Sequence, residues 1–148
     1  MIIVSNSSPL IALSRIGKLF ILRDLFGKIF IPDTVYQETV LQSNVNVQKE
    51  NIQKAIDDNF IIVEIPKTNH AFKRTIDFGE RGVLNLAFDK KSVLLIIDDK
   101  KTRNEAKELG FRVVKTSTLL KRSESLHFIS SYTDIMSELE KLGIYLPK

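Results

Sequence analysis

Val93-Leu94-Leu95-Ile96-Ile97-Asp98-Asp99 is the stretch of this 148-residue sequence that decides the fold. Its five apolar residues do not alternate with polar ones, so they predict a strand buried on both faces, as in a parallel sheet covered by helices. Lys101–Leu109 has helical spacing and ends at Gly110, and Phe111–Val114 predicts the next strand of a right-handed strand–helix–strand unit. Ligands of such sheets bind beyond the carboxyl ends of the strands, where Asp98 and Asp99 lie.

More strands and helices are predicted on both sides of this unit. Apolar runs predict strands at Ile2–Val4, Ile29–Ile31 and Phe60–Ile65. Helices are predicted at Leu10–Ile16, Leu19–Phe26, Pro32–Leu41, Val47–Asp58, Gly79–Phe88 and Thr116–Arg122, with an amphipathic C-terminal helix at about 132–142. Ser8 is the expected N-cap of the first helix, with Pro9 as its first helical residue. Residues 1–148 therefore predict one α/β domain, in which only Thr68–Phe78 lacks a clear pattern.

The composition excludes several classes of protein. The sequence has no cysteine, which excludes disulfides, thiol catalysis and cysteine-based zinc sites and is typical of a reducing cytoplasm. Hydrophobic residues make up 43% of the chain, so disorder is not expected. No apolar stretch is as long as a membrane span, and the N-terminus lacks the regions of a signal peptide. We therefore expect a soluble cytoplasmic protein with no membrane partner.

Positive charge is concentrated in residues 90–122. This segment has ten Lys or Arg residues against four Asp or Glu, a net charge of +6 in a chain whose total is +4. Lys100, Lys101 and Arg103 directly follow the Asp98/Asp99 pair. A basic rim around carboxylates suits a polyanionic partner such as nucleic acid. On this feature alone, ordinary solvated surface is an equally good interpretation.

Acidic and amide side chains occur where solvation does not readily explain them. Glu38 and Glu80 lie close to the apolar stripes of their helices, Asp98 and Asp99 end the central strand, and Asn6 ends the first. If these two strands are neighbours, all five side chains converge on one cleft. Clustered carboxylates repel each other, and a divalent cation relieves the repulsion. Oxygen-only ligands favour Mg²⁺ or Mn²⁺ over zinc, and such a site suits phosphodiester hydrolysis.

Each of these residues also has a purely structural interpretation. An aspartate after a strand often caps the next helix, and Asn6-Ser7-Ser8 could act only as a cap. Glu38 and Glu80 could be exposed residues at the edges of their stripes. Only the joint placement of the acidic residues favours a functional site.

The sequence resembles the PIN-domain family of metal-dependent nucleases, and more closely a prokaryotic branch of PIN-like predicted nucleic-acid-binding proteins. The matching stretches are Val4–Ile11, Ile31–Val40 around Glu38, Gly79–Ala87 and Leu95–Asp99. Each is weak alone, but their order and spacing are fairly specific, and together they cover Met1 to about Thr118. The resemblance implies a parallel sheet of four or five strands with helices on both faces.

The resemblance also implies functional residues and partners. By position, Asn6, Glu38, Glu80 and Asp99 would bind Mg²⁺ or Mn²⁺, and Glu38, Glu80, Asp98 and Asp99 would be the catalytic acids. Ser8 would assist. Lys100, Lys101 and Arg103 are the candidate nucleic-acid contacts because of the positive charge of residues 90–122, and not because of the resemblance. Many family members are ribonuclease toxins paired with antitoxins, and homodimers are frequent. This sequence departs from the pattern at Asn6, which replaces the first aspartate, so a non-catalytic module that binds nucleic acid or an antitoxin is the alternative to a ribonuclease.

Overall fold

Five parallel strands form one sheet in the order β3-β2-β1-β4-β5 in the computed structural model, which describes residues 1–91 and 93–148. The strands are β1 (Ile2–Ser5), β2 (Ile29–Pro32), β3 (Ile61–Glu64), β4 (Val93–Ile96) and β5 (Arg112–Val114). The helices are α1 (Ser7–Arg15), α2 (Phe20–Phe26), α3 (Asp33–Tyr36), α4 (Asn46–Asp57), α5 (Phe78–Asp89), α6 (Lys100–Glu108), α7 (Thr116–Ser125) and α8 (Tyr132–Lys141). The predicted α/β class is confirmed, with five strands.

The central strands β1 and β4 are paired in parallel, with Ile2 opposite Val93 and Ser5 opposite Ile96. Successive residues of both strands are buried, since Ile3, Val4, Leu95 and Ile96 are each at most 4% exposed. Neighbouring residues of a strand point to opposite faces, so both faces of the sheet are covered. This double burial explains the unbroken apolar run in the sequence. Both strands end at the same edge of the sheet, which brings Asn6 next to the end of β4.

The first helix begins one residue before the predicted N-cap. Asn6, not Ser8, is the N-cap of α1, and Pro9 is the third helical residue instead of the first. The backbone N–H of Asn6 still donates to the Ile96 carbonyl at 3.0 Å, so pairing with β4 continues up to Asn6 and the helix begins at the next residue. Proline is tolerated anywhere in the first turn, where its missing N–H would have no helical partner. Because Ser8 does not cap α1, its hydroxyl can donate to Asp98 instead.

The helix predicted over Pro32–Leu41 is interrupted. After the short helix α3, residues Gln37–Leu41 form a π-helical turn, closed by the Gln42 amide donating to the Gln37 carbonyl at 2.8 Å. The Gln48 side chain donates to the Thr39 carbonyl at 2.7 Å and so satisfies a backbone group inside the turn. Such turns change the direction of a side chain relative to a regular helix and occur often at functional sites. This one contains Glu38.

Residues 65–77, all of them described, connect β3 to α5 without forming a helix or strand. Their backbone is held by carboxylates from helices instead. Asp89 accepts hydrogen bonds from the Lys67 and Thr68 amides at 2.8 and 3.0 Å. Glu105, which is 2% exposed, accepts from the Lys73 and Arg74 amides and pairs with the Arg74 guanidinium at 2.9 Å. These bonds fix the approach of the chain to the start of α5.

The C-terminal helices complete the cover of the sheet. Leu119 and Leu120 of α7 are buried in the core together with Ile135, Met136 and Leu139 of α8. The apolar stripe of α8 is therefore a packing surface. Within the described residues, no helix is long and apolar enough to cross a membrane.

Gly82 permits a close approach between α5 and the turn that joins β2 to α3. A Cβ atom on Gly82 would collide with the Thr34 hydroxyl and would lie 3.3 Å from two Pro32 side-chain carbons. A Cβ on Gly79, one turn earlier, would meet its nearest atoms only at 3.6–3.9 Å, which is ordinary contact. The absence of a side chain at Gly82 thus sets the distance between α5 and α3, and with it the place of Glu38.

We expect Gly82→Ala to lower the free energy of unfolding by about 1–3 kcal/mol, the usual penalty for overpacking a well-filled interior. Gly79→Ala is the matched control, because both substitutions gain helix propensity but only the first creates a collision. Urea unfolding of the two variants and the wild type measures the difference. Equal stability of the two variants would show that the packing at Gly82 is not tight.

Candidate active site

Asp98 is buried at the carboxyl end of β4, where it is 3% exposed. Its carboxylate accepts three hydrogen bonds: from the Thr116 amide and the Thr116 hydroxyl, both at 2.8 Å, and from the Ser8 hydroxyl at 3.0 Å. Thr116 is the first residue of α7, so Asp98 also lies near the positive end of that helix dipole. These contacts make Asp98 a residue that ties α1, β4 and α7 together.

Asp99 is the N-cap of α6. One oxygen of its carboxylate accepts from both the backbone amide and the hydroxyl of Thr102, each at 2.9 Å. The residue is exposed at the edge of the sheet, and its second oxygen is not used in the cap. Asp99 therefore does cap the helix that follows its strand, but its second oxygen remains able to bind a further ligand.

Glu80 lies in the first turn of α5 and is half-buried. Together with Asp77 it forms a capping box: the Asp77 carboxylate accepts from the Glu80 amide at 2.8 Å, and the Glu80 carboxylate accepts from the Asp77 amide at 3.3 Å. The Thr102 hydroxyl donates to Asp99 and also lies near Glu80, whose pKa it lowers.

The pKa of Glu80 is raised above its ordinary value. Burial is the main cause, the negative charge of Asp77 adds to it, hydrogen bonds from Thr102 and the Asp77 amide oppose it, and the charge of Asp99 raises it slightly further. A carboxyl whose pKa is raised by burial and by other carboxylates, at the ligand-binding edge of a sheet, is typical of a functional site.

Glu38 reaches the same turn of α5 from the π-helical turn. Its two carboxylate oxygens lie 3.7 and 3.9 Å from the place that a Cβ atom on Gly79 would occupy. Asp77 Oδ1 lies 3.6 Å from that place, so Glu38 and Asp77 both lie close to Gly79. The exposed Glu38 carboxylate therefore lies beside the turn of α5 that carries Glu80, and the gathering of Asn6, Glu38, Glu80 and Asp99 into one site stays a prediction.

Asn6 is 5% exposed at the end of β1, and its side chain makes no cap hydrogen bond to α1. It contributes an amide oxygen to the same edge of the sheet as Asp98 and Asp99. Among the described residues, however, no group of three or more His, Cys, Asp or Glu side chains is arranged to hold a metal ion. The donor chemistry suits a hard cation, whereas the side chains do not form a closed cage.

Sequence reasoning missed three residues of this site. Thr116 holds Asp98, Thr102 lies between Asp99 and Glu80, and Asp77 completes the capping box. The sequence contains a signal only for Asp77, because Asp-x-x-Glu before an apolar run is a capping-box pattern. The partners of Asp98 and Asp99 depend on tertiary contacts that no local pattern predicts.

The basic residues after Asp99 differ in their contacts. Lys100 and Lys101 are exposed at the start of α6, and Arg103 is partly buried. The Lys101 ammonium donates to the Thr75 carbonyl at 3.1 Å and so helps to hold the 65–77 segment. The three cations lie on the first turn of the helix that Asp99 caps.

The fold and this edge define a class of α/β proteins in which carboxylates follow the ends of the parallel strands, where ligands of such sheets bind. A family model described as a PIN domain matches residues 2–148. The chain therefore belongs to the PIN-domain family, whose members form a nuclease superfamily, generally bind nucleic acid and generally depend on divalent metal. The family resemblance of the sequence is thus confirmed.

A solved structure supports the same fold. The chain is similar to a PilT N-terminus domain protein from the hyperthermophilic archaeon Sulfolobus solfataricus, with 24% sequence identity and a TM-score of 0.55. The similarity covers 83% of this chain and 93% of the archaeal one. No match to a curated protein was found.

Asp98→Ala is expected to destabilise the protein more than Asp99→Ala does. The first substitution leaves buried donors without an acceptor, a loss of about 1–3 kcal/mol, whereas the second removes an exposed helix cap, a loss of about 1 kcal/mol. Denaturant unfolding of both variants measures the two losses. A smaller loss for Asp98→Ala than for Asp99→Ala would contradict the conclusion that the Asp98 hydrogen bonds hold α1 and α7 to the end of β4.

Glu80→Gln is expected to raise the free energy of unfolding at pH 7. Between the ordinary glutamate pKa and the raised folded one, the native state binds more protons than the unfolded chain, so stability falls as pH rises through this window and stays lower above it. Glutamine keeps the capping-box acceptor but carries no charge. Its advantage should disappear below the ordinary glutamate pKa.

Urea unfolding at pH 7 and at acid pH tests this expectation. Glu50→Gln, at an exposed position of α4, is the matched control and should leave stability unchanged at both. A Glu80→Gln variant less stable than the wild type at pH 7 would mean that the ionised carboxylate is favourable where it lies.

Proposed function

We propose that this protein is a metal-dependent endoribonuclease of the PIN type. The observation that carries the proposal is that Asp99, which caps α6, and Glu80, in the first turn of α5, lie near each other at the edge where the central strands end. They are close enough for the negative charge of Asp99 to raise the pKa of Glu80. Glu38 adds a third carboxylate over the same turn of α5. Helix capping explains Glu80 and Asp99 singly. It does not explain why several acidic residues lie at one edge of a protein whose net charge is +4.

Mg²⁺ or Mn²⁺ is the cofactor that this donor set suits. Glu38, Glu80 and Asp99 would hold the ion with carboxylate oxygens, and Asn6 would contribute an amide oxygen. The ion would activate water at neutral pH and neutralise the charge that develops on the phosphoryl group.

The residues of the chain have separate roles in this proposal. Glu80 would hold the ion as a carboxylate, because a bound cation favours the ionised form over the protonated form that burial and neighbouring acids favour without it. Asp98, although predicted as a catalytic acid, is better suited to positioning, since its oxygens already accept three hydrogen bonds. Ser8 assists by donating one of them.

RNA is the proposed substrate, and the basic start of α6 is its proposed phosphate contact. Lys100, Lys101 and Arg103 follow the acidic edge directly, so a strand whose phosphate lies at Glu80 and Asp99 would have its neighbouring phosphates near these cations. A toxin role with an antitoxin partner, and assembly as a homodimer, are further parts of the proposal that follow from the family resemblance.

A non-catalytic nucleic-acid-binding or antitoxin-binding module is the second candidate. Two observations favour it: Asn6 is uncharged, and the described residues contain no preformed group of three acids or histidines for a metal. In this case the same edge would bind its partner without cleaving it.

Asn6→Asp distinguishes the two candidates. The new carboxylate should bind a nearby cation more strongly than the amide does, and a gain of about 1.4 kcal/mol would be a tenfold increase in Mn²⁺ affinity. Titration calorimetry measures this affinity, and cleavage of a labelled single-stranded RNA measures activity. If the protein is an enzyme, cleavage requires Mn²⁺ or Mg²⁺ and rises in the variant.

Asp99→Asn is the companion variant and should abolish cleavage in either background. Stronger metal binding without any cleavage would favour the binding module. Metal affinity that neither substitution changes would rule out a cation site at this edge.

A further inference from the structure

A pocket of about 390 Å³ opens beside the first turns of α5. Phe78, Gly82 and Asn85 line it from the helix, at the i, i+4, i+7 spacing of a single helix face. Glu80 is two residues from Phe78 and therefore projects to a different side of α5. The pocket and the acidic edge thus share one helical turn but lie on different sides of it.

Phe78 and Ile65 are large apolar residues of this pocket that are mostly exposed, and Phe78 is the aromatic one. It is 62% exposed, although it is a large apolar side chain in the first turn of a well-formed helix. The next residue is Gly79, over which the Glu38 carboxylate lies. An aromatic ring left in solvent on the same helical turn as carboxylates that suit phosphodiester chemistry is placed to contact the polymer on which those carboxylates act.

The other lining residues offer the remaining groups that a nucleotide needs. Arg81 is exposed, and within the described part of the chain no ion pair engages it. Asn85 accepts from the His70 amide at 2.9 Å through its oxygen, which leaves its two amide N–H donors for a ligand. Asp33 adds a carboxylate acceptor. Base edges present donors and acceptors together, and phosphates require a cation.

We infer that this pocket binds a nucleobase of single-stranded RNA adjacent to the cleaved phosphate, with the base stacked on Phe78 and its phosphate near Arg81. The inference rests on the proposed function, since it supplies the part of the substrate that the acidic edge does not contact. A ring for stacking beside a cation is the usual platform for single-stranded nucleic acid. Ile65, which is 75% exposed, and Pro66 add apolar surface to the pocket, but most of its lining residues are charged or polar. A second protein copy therefore fits less well, because specific protein interfaces have apolar centres.

The absence of tryptophan from the chain provides a direct test. Phe78→Trp, combined with Asp99→Asn to prevent cleavage, places a single tryptophan at the pocket, which can be excited selectively over the three tyrosines. Titration with a short single-stranded RNA should quench its fluorescence saturably, as base stacking on the indole requires. Tyr145→Trp in the same background is the matched control: Tyr145 is 76% exposed beyond α8, outside the pocket, and a tryptophan there should not be quenched.

Phe78→Ala in the Asp99→Asn background should weaken RNA binding, measured by fluorescence anisotropy, by about 5- to 150-fold, the range for losing one stacked base. Phe78→Tyr should restore most of the affinity, and Tyr145→Ala should not change it. RNA that binds without quenching Trp fluorescence at position 78 and without loss in Phe78→Ala would overturn the inference and leave the nuclease proposal intact. Quenching by RNA that the wild type never cleaves would support the inference and refute the nuclease proposal.

A change of oligomeric state in Phe78→Ala at unchanged RNA affinity would overturn the inference in a different way. Phe78 would then belong to a contact between copies of the chain. Size-exclusion chromatography with light scattering on both alanine variants detects this outcome.

Discussion

The buried carboxylate of Asp98 is the interaction on which the rest of the site depends. A charged group that is only 3% exposed is strongly unfavourable unless hydrogen bonds replace its water, and here Ser8 and Thr116 supply three. These donors come from the helices that follow β1 and β5, whereas Asp98 itself follows β4. One carboxylate therefore fixes the relative positions of the helices that leave three adjacent strands, and the edge of the sheet from which they leave is the edge that carries the acidic side chains.

With Asp98 fixed, its neighbour Asp99 caps α6 and faces the start of α5. Thr102 then lies between Asp99 and Glu80, and the Asp77–Glu80 capping box fixes the orientation of Glu80. Each of these contacts has a local structural function, yet together they concentrate negative charge and raise the pKa of Glu80. This concentration of negative charge is unfavourable for the protein without a bound cation, because acids placed further apart would cap the same helices without repelling each other. Crowding of this kind is typical of functional sites, and a cation would relieve it.

The features that the sequence predicted well are those that depend on local patterns. The unbroken run from Val93 to Ile97 identified a doubly covered parallel strand, and the polar residues that follow β1 and β4 do lie at one edge of the sheet. The features that it could not predict depend on distant partners. The π-helical turn around Glu38 needs the Gln48 side chain to satisfy the Thr39 carbonyl. The 65–77 segment has no periodic pattern because its backbone bonds are made to Asp89 and Glu105, which lie on helices later in the chain.

The side chain of Asn6 is uncharged and therefore adds no negative charge to the edge of the sheet where Asp98 is buried. It is 5% exposed at the end of β1, beside the strand that ends in the buried charge of Asp98. An aspartate at the same position would place a second negative charge in a poorly solvated region where Asp98 has already engaged the Ser8 and Thr116 hydroxyls. An asparagine keeps an oxygen at the edge of the sheet without that repulsion. The amide therefore favours stability of the metal-free protein, whereas a carboxylate would favour affinity for a cation, and these two demands act in opposite directions on the same residue.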